Sequence, residues 1–177
     1  MSGGGLFVNN PVAPTEECID LMRDLESKYG PVKFIVLSSL ALEHKGTAGA
    51  FATQFPASSI FVQPGQFSFP INLPTNFFFP FGKTIKEIPS NSSQAPWYSD
   101  LDHAVLSVQP SPVGGFGETA FFHRASKTLL VTDTIVKVIA PLQSCAIGDG
   151  GGGGAYVWVH FFDILIGLCR SKTSLQP

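Results

Sequence analysis

The feature that most constrains the fold is an alternation of short apolar runs with helical patterns in the first 62 residues. The apolar runs cover residues 6–8, 32–37 and 59–62, and the helical patterns lie between them. This strand–helix–strand–helix–strand order predicts that the three strands pair in parallel. The middle run is apolar almost throughout, so we expect it to be covered on both faces. The sequence therefore predicts an α/β fold for this part of the chain.

The first helix has clearly marked ends. Thr15 is a typical N-cap residue, and Gly30-Pro31 stops the helical pattern. Between them, apolar residues recur at i, i+3, i+4, i+7 and i+11, which predicts the face that packs on the sheet. This stripe consists of Cys18, Leu21, Met22, Leu25 and Tyr29.

The second helical pattern covers residues 46–55 and carries Ala48, Phe51 and Phe55 on one side. The third apolar run is followed by a stretch, 65–80, that is rich in both phenylalanine and proline. Repeated prolines disfavour a helix or a central strand, and so many phenylalanines are unsuited to a solvated linker. We expect this Phe-rich loop (65–80) to pack on the domain or to form a contact surface.

After a polar loop over residues 83–99, the pattern predicts a second group of strands. They are one strand at 104–108, a hairpin of 118–123 with 128–132, and a short strand at 136–139. We assign residues 1–140 to one domain. Residues 141–177 start with a glycine-rich run and continue with an apolar stretch too short to span a bilayer. This composition predicts a linker and an atypical apolar tail.

Composition excludes several classes of function. The net charge is −2 over 177 residues and the basic residues are scattered, so we expect neither nucleic-acid binding nor a membrane partner. The three cysteines have no C-x-x-C spacing, which suits a reducing compartment. Because no apolar leader precedes the first strand, we expect an intracellular, cytoplasmic protein, or a plastid one if a longer precursor exists.

The motifs that would indicate a cofactor lack their structural context. Gly148-x-Gly150-x-x-Gly153 matches a dinucleotide fingerprint, but no strand and helix pattern surrounds it. The sequence contains no Gly-x-Ser-x-Gly nucleophile motif and no paired zinc-binding cysteines. The remaining polar candidates, taken singly, are more often hydrogen-bonded core residues or surface groups. They are Glu43, His44, His103, His123 and Asp133.

Several longer motifs, spread over residues 3–139, are specific enough to carry a family resemblance. They are Gly5-Leu-Phe-Val-Asn-Asn-Pro-Val-Ala-Pro-Thr15, Leu40-Ala-Leu-Glu-His-Lys45, Pro64-Gly-Gln-Phe-Ser-Phe-Pro70, Ala95-Pro-Trp97 and Phe121-Phe-His-Arg124 with Leu129-Leu-Val-Thr-Asp133. Together they resemble the DUF4336 family, an uncharacterised group common in cyanobacteria and plants and related to the metallo-β-lactamase fold. The resemblance implies part of an αββα sandwich, with any metal site between the two sheets. It also implies that the family's second half is missing or replaced after Ile139.

The resemblance further points to the turn after the second strand. Superfamily hydrolases read His-x-His-x-Asp-His there, whereas this chain reads Ser39-x-Ala41-x-Glu43-His44. Alanine offers no lone pair and neutral serine is a poor zinc ligand, so the resemblance implies that the first metal site is absent. Glu43 and His44 would remain from the second site, and Asp133 corresponds to the superfamily's bridging aspartate.

Our leading expectation is a non-catalytic or vestigial protein without a cofactor, whose surviving polar residues are mainly structural. The alternative is a mononuclear metal-dependent hydrolase that uses Glu43, His44 and Asp133 with one zinc, iron or manganese ion. His103 or His123 would then be an extra ligand or an acid/base. A third alternative is a partial gene product without an independent role. We expect the partner to be an unknown small molecule or protein, with self-association through the Phe-rich loop or the apolar tail.

Overall fold

A computed structural model describes residues 1–66, 73–80, 82–111 and 114–134. All of them belong to the first of the two units into which the chain divides, Met1–Ile135. The predicted strand at 136–139 and the predicted linker and tail at 141–177 lie outside the described residues, as do residues 67–72 of the Phe-rich loop. The domain boundary at residue 140 therefore stays a prediction.

In the described part of the chain, four parallel strands form the first sheet, in the order β1-β2-β3-β4. The elements are β1 (Leu6–Asn9), α1 (Glu16–Tyr29), β2 (Val32–Leu37), α2 (Leu42–Gln54), β3 (Ser59–Val62) and β4 (Ile85–Glu87). The predicted parallel pairing of the first three strands is confirmed. β4 lies within the predicted polar loop (83–99). The sequence pattern misses it because this edge strand is short and two of its three residues, Lys86 and Glu87, are charged and exposed.

The second sheet has three antiparallel strands among the described residues, in the order β5-β6-β7. They are β5 (Leu101–Ser111), β6 (Gly114–His123) and β7 (Thr128–Leu130). The predicted hairpin is confirmed as β6 and β7, while β5 begins before the predicted strand at 104–108 and pairs with β6 along most of its length. Short 3₁₀ turns at Thr75–Phe78 and Ser92–Gln94 lie within the segments predicted to be loops.

The two faces of the parallel sheet pack on different layers. Because side chains alternate along a strand, Ile35 and Leu37 of β2 join a core with α2, whereas Val36 joins a core with the antiparallel sheet. Ala48 and Phe51 of α2 are buried in the first of these cores, as predicted. The described layers are thus helix, parallel sheet and antiparallel sheet. This architecture confirms the predicted α/β fold class, and its separate parallel and antiparallel sheets make it an α+β sandwich.

Trp97 fills the space between the two sheets. Its side chain is fully buried, and its ring meets the rings of Phe7, Phe34 and Phe61 edge-on at centroid distances of 5.3, 5.5 and 4.8 Å. Phe121 of β6 lies 6.0 Å from the same indole ring. Aromatic pairs in this geometry stabilise a core by about 0.5–1.5 kcal/mol beyond their buried area. One tryptophan in a polar segment therefore anchors that segment and joins both sheets.

The apolar stripe predicted for α1 is only partly right. Thr15 caps the helix as predicted, since its hydroxyl accepts a hydrogen bond from the backbone N–H of Cys18. Cys18, Ile19 and Met22 contact the core, so the packed face keeps two residues of the predicted stripe and adds Ile19. The large apolar residues left exposed on α1 are Leu21, Leu25 and Tyr29.

In the described part of the chain, no helix is long and apolar enough to cross a membrane.

Candidate metal site

The candidate site lies where β2 ends and α2 begins. The connecting segment is held against β6 by two backbone hydrogen bonds: the N–H of Thr119 donates to the carbonyl of Ser38 at 2.8 Å, and the N–H of Leu40 donates to the carbonyl of Gly117 at 3.0 Å. A Cβ at residue 117 would lie 2.9 Å from Cδ1 of Leu40, so a larger residue there would displace the Leu40 side chain. The antiparallel sheet therefore fixes where α2 starts.

The second helix starts earlier than the sequence predicts. The pattern predicts a helix over 46–55, whereas α2 begins at Leu42 with Ala41 as an extended N-cap residue. Glu43 and His44 consequently lie in the first helical turn, where the helix dipole favours an anionic side chain such as Glu43. The prediction misses this turn because Leu42 is 61% exposed and continues no apolar stripe.

Glu43, His44 and Asp133 come together although Asp133 is far from the other two in the sequence. One carboxylate oxygen of each acidic residue and one ring nitrogen of His44 all lie within 4.8 Å of one another. The closest contact in which both atoms are identified joins Nε2 of His44 and Oδ2 of Asp133 at 3.6 Å. Their side chains are 26% and 43% exposed, so solvent reaches the cluster. The structure thus places the three residues of the predicted second metal site side by side.

The donor set fits one divalent cation and does not fit two. Imidazole and carboxylate oxygens are ordinary ligands for zinc, iron and manganese. Bond lengths of about 2.0–2.2 Å put two ligand atoms at most about 4.4 Å apart, so the present cluster would have to close slightly, which the exposed side chain of Glu43 permits. Among the described residues, no second cluster of this kind is found, and Ser39 uses its hydroxyl to accept the N–H of Ala41 at 3.1 Å.

Lys45, which directly follows His44 in the sequence, is a fully buried charged residue. Its side chain is 1% exposed, and the ammonium nitrogen lies 5.5 Å from the ring centre of Phe78 in the Phe-rich loop. Burial lowers the pKa of Lys45 because desolvation disfavours its charged form. The residue packs the loop on the first turns of α2, next to His44.

His103 and His123 lie apart from the cluster. In His103, which is buried between the sheets, Nδ1 accepts the indole N–H of Trp97 at 3.3 Å and Nε2 lies 2.7 Å from the carbonyl oxygen of Pro89. This pairing assigns a neutral imidazole that donates from Nε2, with both ring nitrogens in use. His123 is at the end of β6, where Nδ1 contacts the hydroxyl of Ser126 at 2.6 Å. Among the described residues, neither histidine joins Glu43, His44 and Asp133.

Two polar residues that sequence reasoning missed support the cluster. Glu118 is 1% exposed, and its carboxylate accepts the backbone N–H groups of Thr132 and Asp133 at 2.5 and 2.8 Å. Asn10, at a positive φ of 44°, accepts the N–H of Ser38 and donates to the hydroxyls of Ser38 and Thr132. The sequence offered one signal for each of them. Glu118 is a single acidic residue in a mostly apolar strand, and Asn10 belongs to the Asn-Asn-Pro turn after β1.

Comparisons with known proteins agree with the family resemblance. The family described as Domain of unknown function (DUF4336) matches residues 1–147, which confirms the resemblance seen in the motifs. Neither a curated protein nor a solved structure matches the chain. The family description assigns no reaction, so the functional conclusion has to come from the site.

Proposed function

The chain belongs to the DUF4336 family, and we propose that it is a metallo-β-lactamase-like protein reduced to one divalent cation site. Glu43, His44 and Asp133 would hold the cation, and the protein would act as a mononuclear metal-dependent hydrolase. The observation that carries this proposal is the convergence of three ligand atoms within 4.8 Å. It occurs at the carboxyl end of β2, and ligand sites of parallel sheets lie at such ends.

The proposed relation to metallo-β-lactamase-like proteins is supported by the order of layers and by the position of the cluster. The helices cover one face of the parallel sheet, and the other face packs on an antiparallel sheet. The frame Ser39-x-Ala41-x-Glu43-His44 follows β2 directly. Asp133 follows the β6–β7 hairpin, as the superfamily's bridging aspartate would. The substitution of both first-site histidines argues for one cation instead of two.

Three protein ligands and access to solvent are typical of catalytic rather than structural metal sites. A bound divalent cation would supply a Lewis acid that polarises a carbonyl or phosphoryl oxygen and lowers the pKa of a bound water. His44 and Asp133, which are partly buried, would fix the position of the cation. Glu43 is exposed, so the side of the cation that faces Glu43 would be open to a substrate.

A second candidate function is a vestigial, non-catalytic protein. It is favoured by the way the surviving polar groups satisfy one another. His44 and Asp133 pair at 3.6 Å, while Ser39 and Glu118 bond to backbone N–H groups. Such a network holds its shape without a cation and would need no reaction to explain it.

Hydrolysis assays distinguish the two candidates. The purified protein would be loaded with zinc, manganese or ferrous ion and assayed against a nitrophenyl ester, a nitrophenyl phosphodiester and a thioester. We expect one substrate class to be hydrolysed by the wild type and by His123→Ala, and not by His44→Ala or Asp133→Asn. If the wild type binds a cation yet hydrolyses all three classes no faster than Asp133→Asn does, the mononuclear hydrolase is refuted and the second candidate is favoured.

A further inference from the structure

We infer that Glu118 is a positioning residue, which fixes the backbone that carries Asp133 and so sets the cation affinity of the site without touching the cation. The inference about affinity rests on the proposed function, whereas the inference about positioning stands on hydrogen bonds alone. Glu118 lies on β6 and is not a member of the Glu43, His44 and Asp133 cluster.

The carboxylate of Glu118 binds two consecutive backbone N–H groups. Oε1 accepts from Thr132 at 2.5 Å and Oε2 accepts from Asp133 at 2.8 Å. Hydrogen bonds to an ionised acceptor are shorter and stronger than neutral ones, and a fork of two fixes orientation as well as distance. The turn after β7 is thereby held with the Asp133 side chain beside His44.

The same short stretch of β6 also holds the other half of the cluster. The residues on either side of Glu118 bond to the segment that precedes α2, through the carbonyl of Gly117 and the N–H of Thr119. Three consecutive residues of one strand therefore bind both the start of the helix that carries His44 and the turn that carries Asp133. The backbone of this stretch of β6 holds the helix start, and the Glu118 side chain holds the turn, so the stretch sets the separation between His44 and Asp133.

Only a carboxylate can make both bonds to the turn. The amide of glutamine has the same shape, but it offers one acceptor oxygen and turns an NH₂ group toward the second N–H. Glu118→Gln therefore keeps the volume and burial of the side chain while it breaks one of the two contacts. Thr119→Val is a matched control, because Thr119 is a neighbouring buried residue whose hydroxyl bonds to Gln63 and not to the turn.

The test measures zinc and manganese binding by titration calorimetry together with amide hydrogen exchange over residues 128–134. We expect Glu118→Gln to weaken binding by about 10–100-fold, the usual effect of losing a group that orients a metal ligand. Exchange should become faster at Thr132 and Asp133, while the stoichiometry stays unchanged. Thr119→Val should bind within about twofold of the wild type even if it melts at a lower temperature, because it keeps the backbone N–H that donates to Ser38 and removes only a hydroxyl that bonds to Gln63. Glu118→Asp, which keeps both acceptors, should lie between the wild type and Glu118→Gln.

The possible outcomes test the affinity role and the positioning role of Glu118 separately. Unchanged affinity in Glu118→Gln, or an equal loss in Thr119→Val, would overturn the affinity role of Glu118. If the wild type binds no cation, the proposed function fails and the positioning role is judged by exchange alone. Faster exchange confined to Thr132 and Asp133 would then support that role, and unchanged exchange would refute it. If Glu118→Gln does not fold, Glu118→Asp replaces it in every comparison.

Discussion

Replacing Trp97 with phenylalanine tests whether this residue joins the two sheets. The indole is fully buried and makes edge-on contacts with four phenylalanine rings. Its N–H donates to Nδ1 of His103 at 3.3 Å. Phenylalanine keeps a ring in the space but removes that donor and leaves a void beside the remaining rings.

The magnitude follows from these two losses. An acceptor left without a partner in the core costs about 1–3 kcal/mol. Truncation of a buried tryptophan or phenylalanine to alanine costs about 3–5 kcal/mol, and the smaller change from tryptophan to phenylalanine should contribute about 1 kcal/mol of packing. The free energy of unfolding should therefore fall by about 2–4 kcal/mol, which leaves a domain of ordinary stability folded.

Urea unfolding followed by far-ultraviolet circular dichroism measures this change. We expect a lower midpoint for Trp97→Phe with an unchanged slope, the pattern of a loss of stability without a change in the surface exposed. Tyr98→Phe is the control, because Tyr98 is 39% exposed and a surface change of this kind costs less than about 0.5 kcal/mol. A loss below about 0.5 kcal/mol in Trp97→Phe itself would refute the reasoning that Trp97 is the shared core of both sheets.

Two further predictions concern α2. Gly49→Ala should destabilise the protein, because a Cβ at residue 49 would overlap the carbonyl oxygen of Phe78. Gly46→Ala should raise the free energy of unfolding by about 0.5–1 kcal/mol, the usual gain for replacing glycine in a helix, since a Cβ there meets nothing within 4 Å. Its melting temperature should therefore rise. Equal melting temperatures for the two variants would show that the Phe-rich loop does not pack on α2. For Lys45, whose pKa is lowered by burial, the unfolded chain binds more protons than the folded one as pH approaches the ordinary lysine value of 10.5. The free energy of unfolding should therefore rise with pH in that range, and the rise should be smaller in Lys45→Met. An identical pH slope in both proteins would contradict the burial of this ammonium group.

The parts of the fold that sequence predicts correctly are those written in a local pattern. β2 is a run of apolar residues at 32–37, and the structure gives it the same limits. Thr15 and Gly30 mark the ends of α1 for reasons of backbone hydrogen bonding that act within one turn. The β6–β7 hairpin is likewise short-range. Each of these predictions needs only residues that are neighbours along the chain.

The parts that sequence does not predict depend on distant partners. The exposure of Leu21 on α1 follows from how the helix is rotated on the sheet, and a periodic pattern alone cannot choose between adjacent stripes. β4 carries one apolar side chain, Ile85, and becomes a strand because β3 lies beside it. Glu118 gains its partners only when β6, β7 and the turn at Asp133 have folded. The family motifs indicated Glu43, His44 and Asp133, but their mutual distance is a property of the tertiary structure.

The most direct test of the central claim is the number of divalent cations bound per chain, measured by native mass spectrometry and titration calorimetry with zinc. The cluster of Glu43, His44 and Asp133 predicts one cation per chain in the wild type and in His123→Ala. It predicts none in His44→Ala or Asp133→Asn. Two cations per chain, no cation in the wild type, or full binding by both cluster variants would contradict the account.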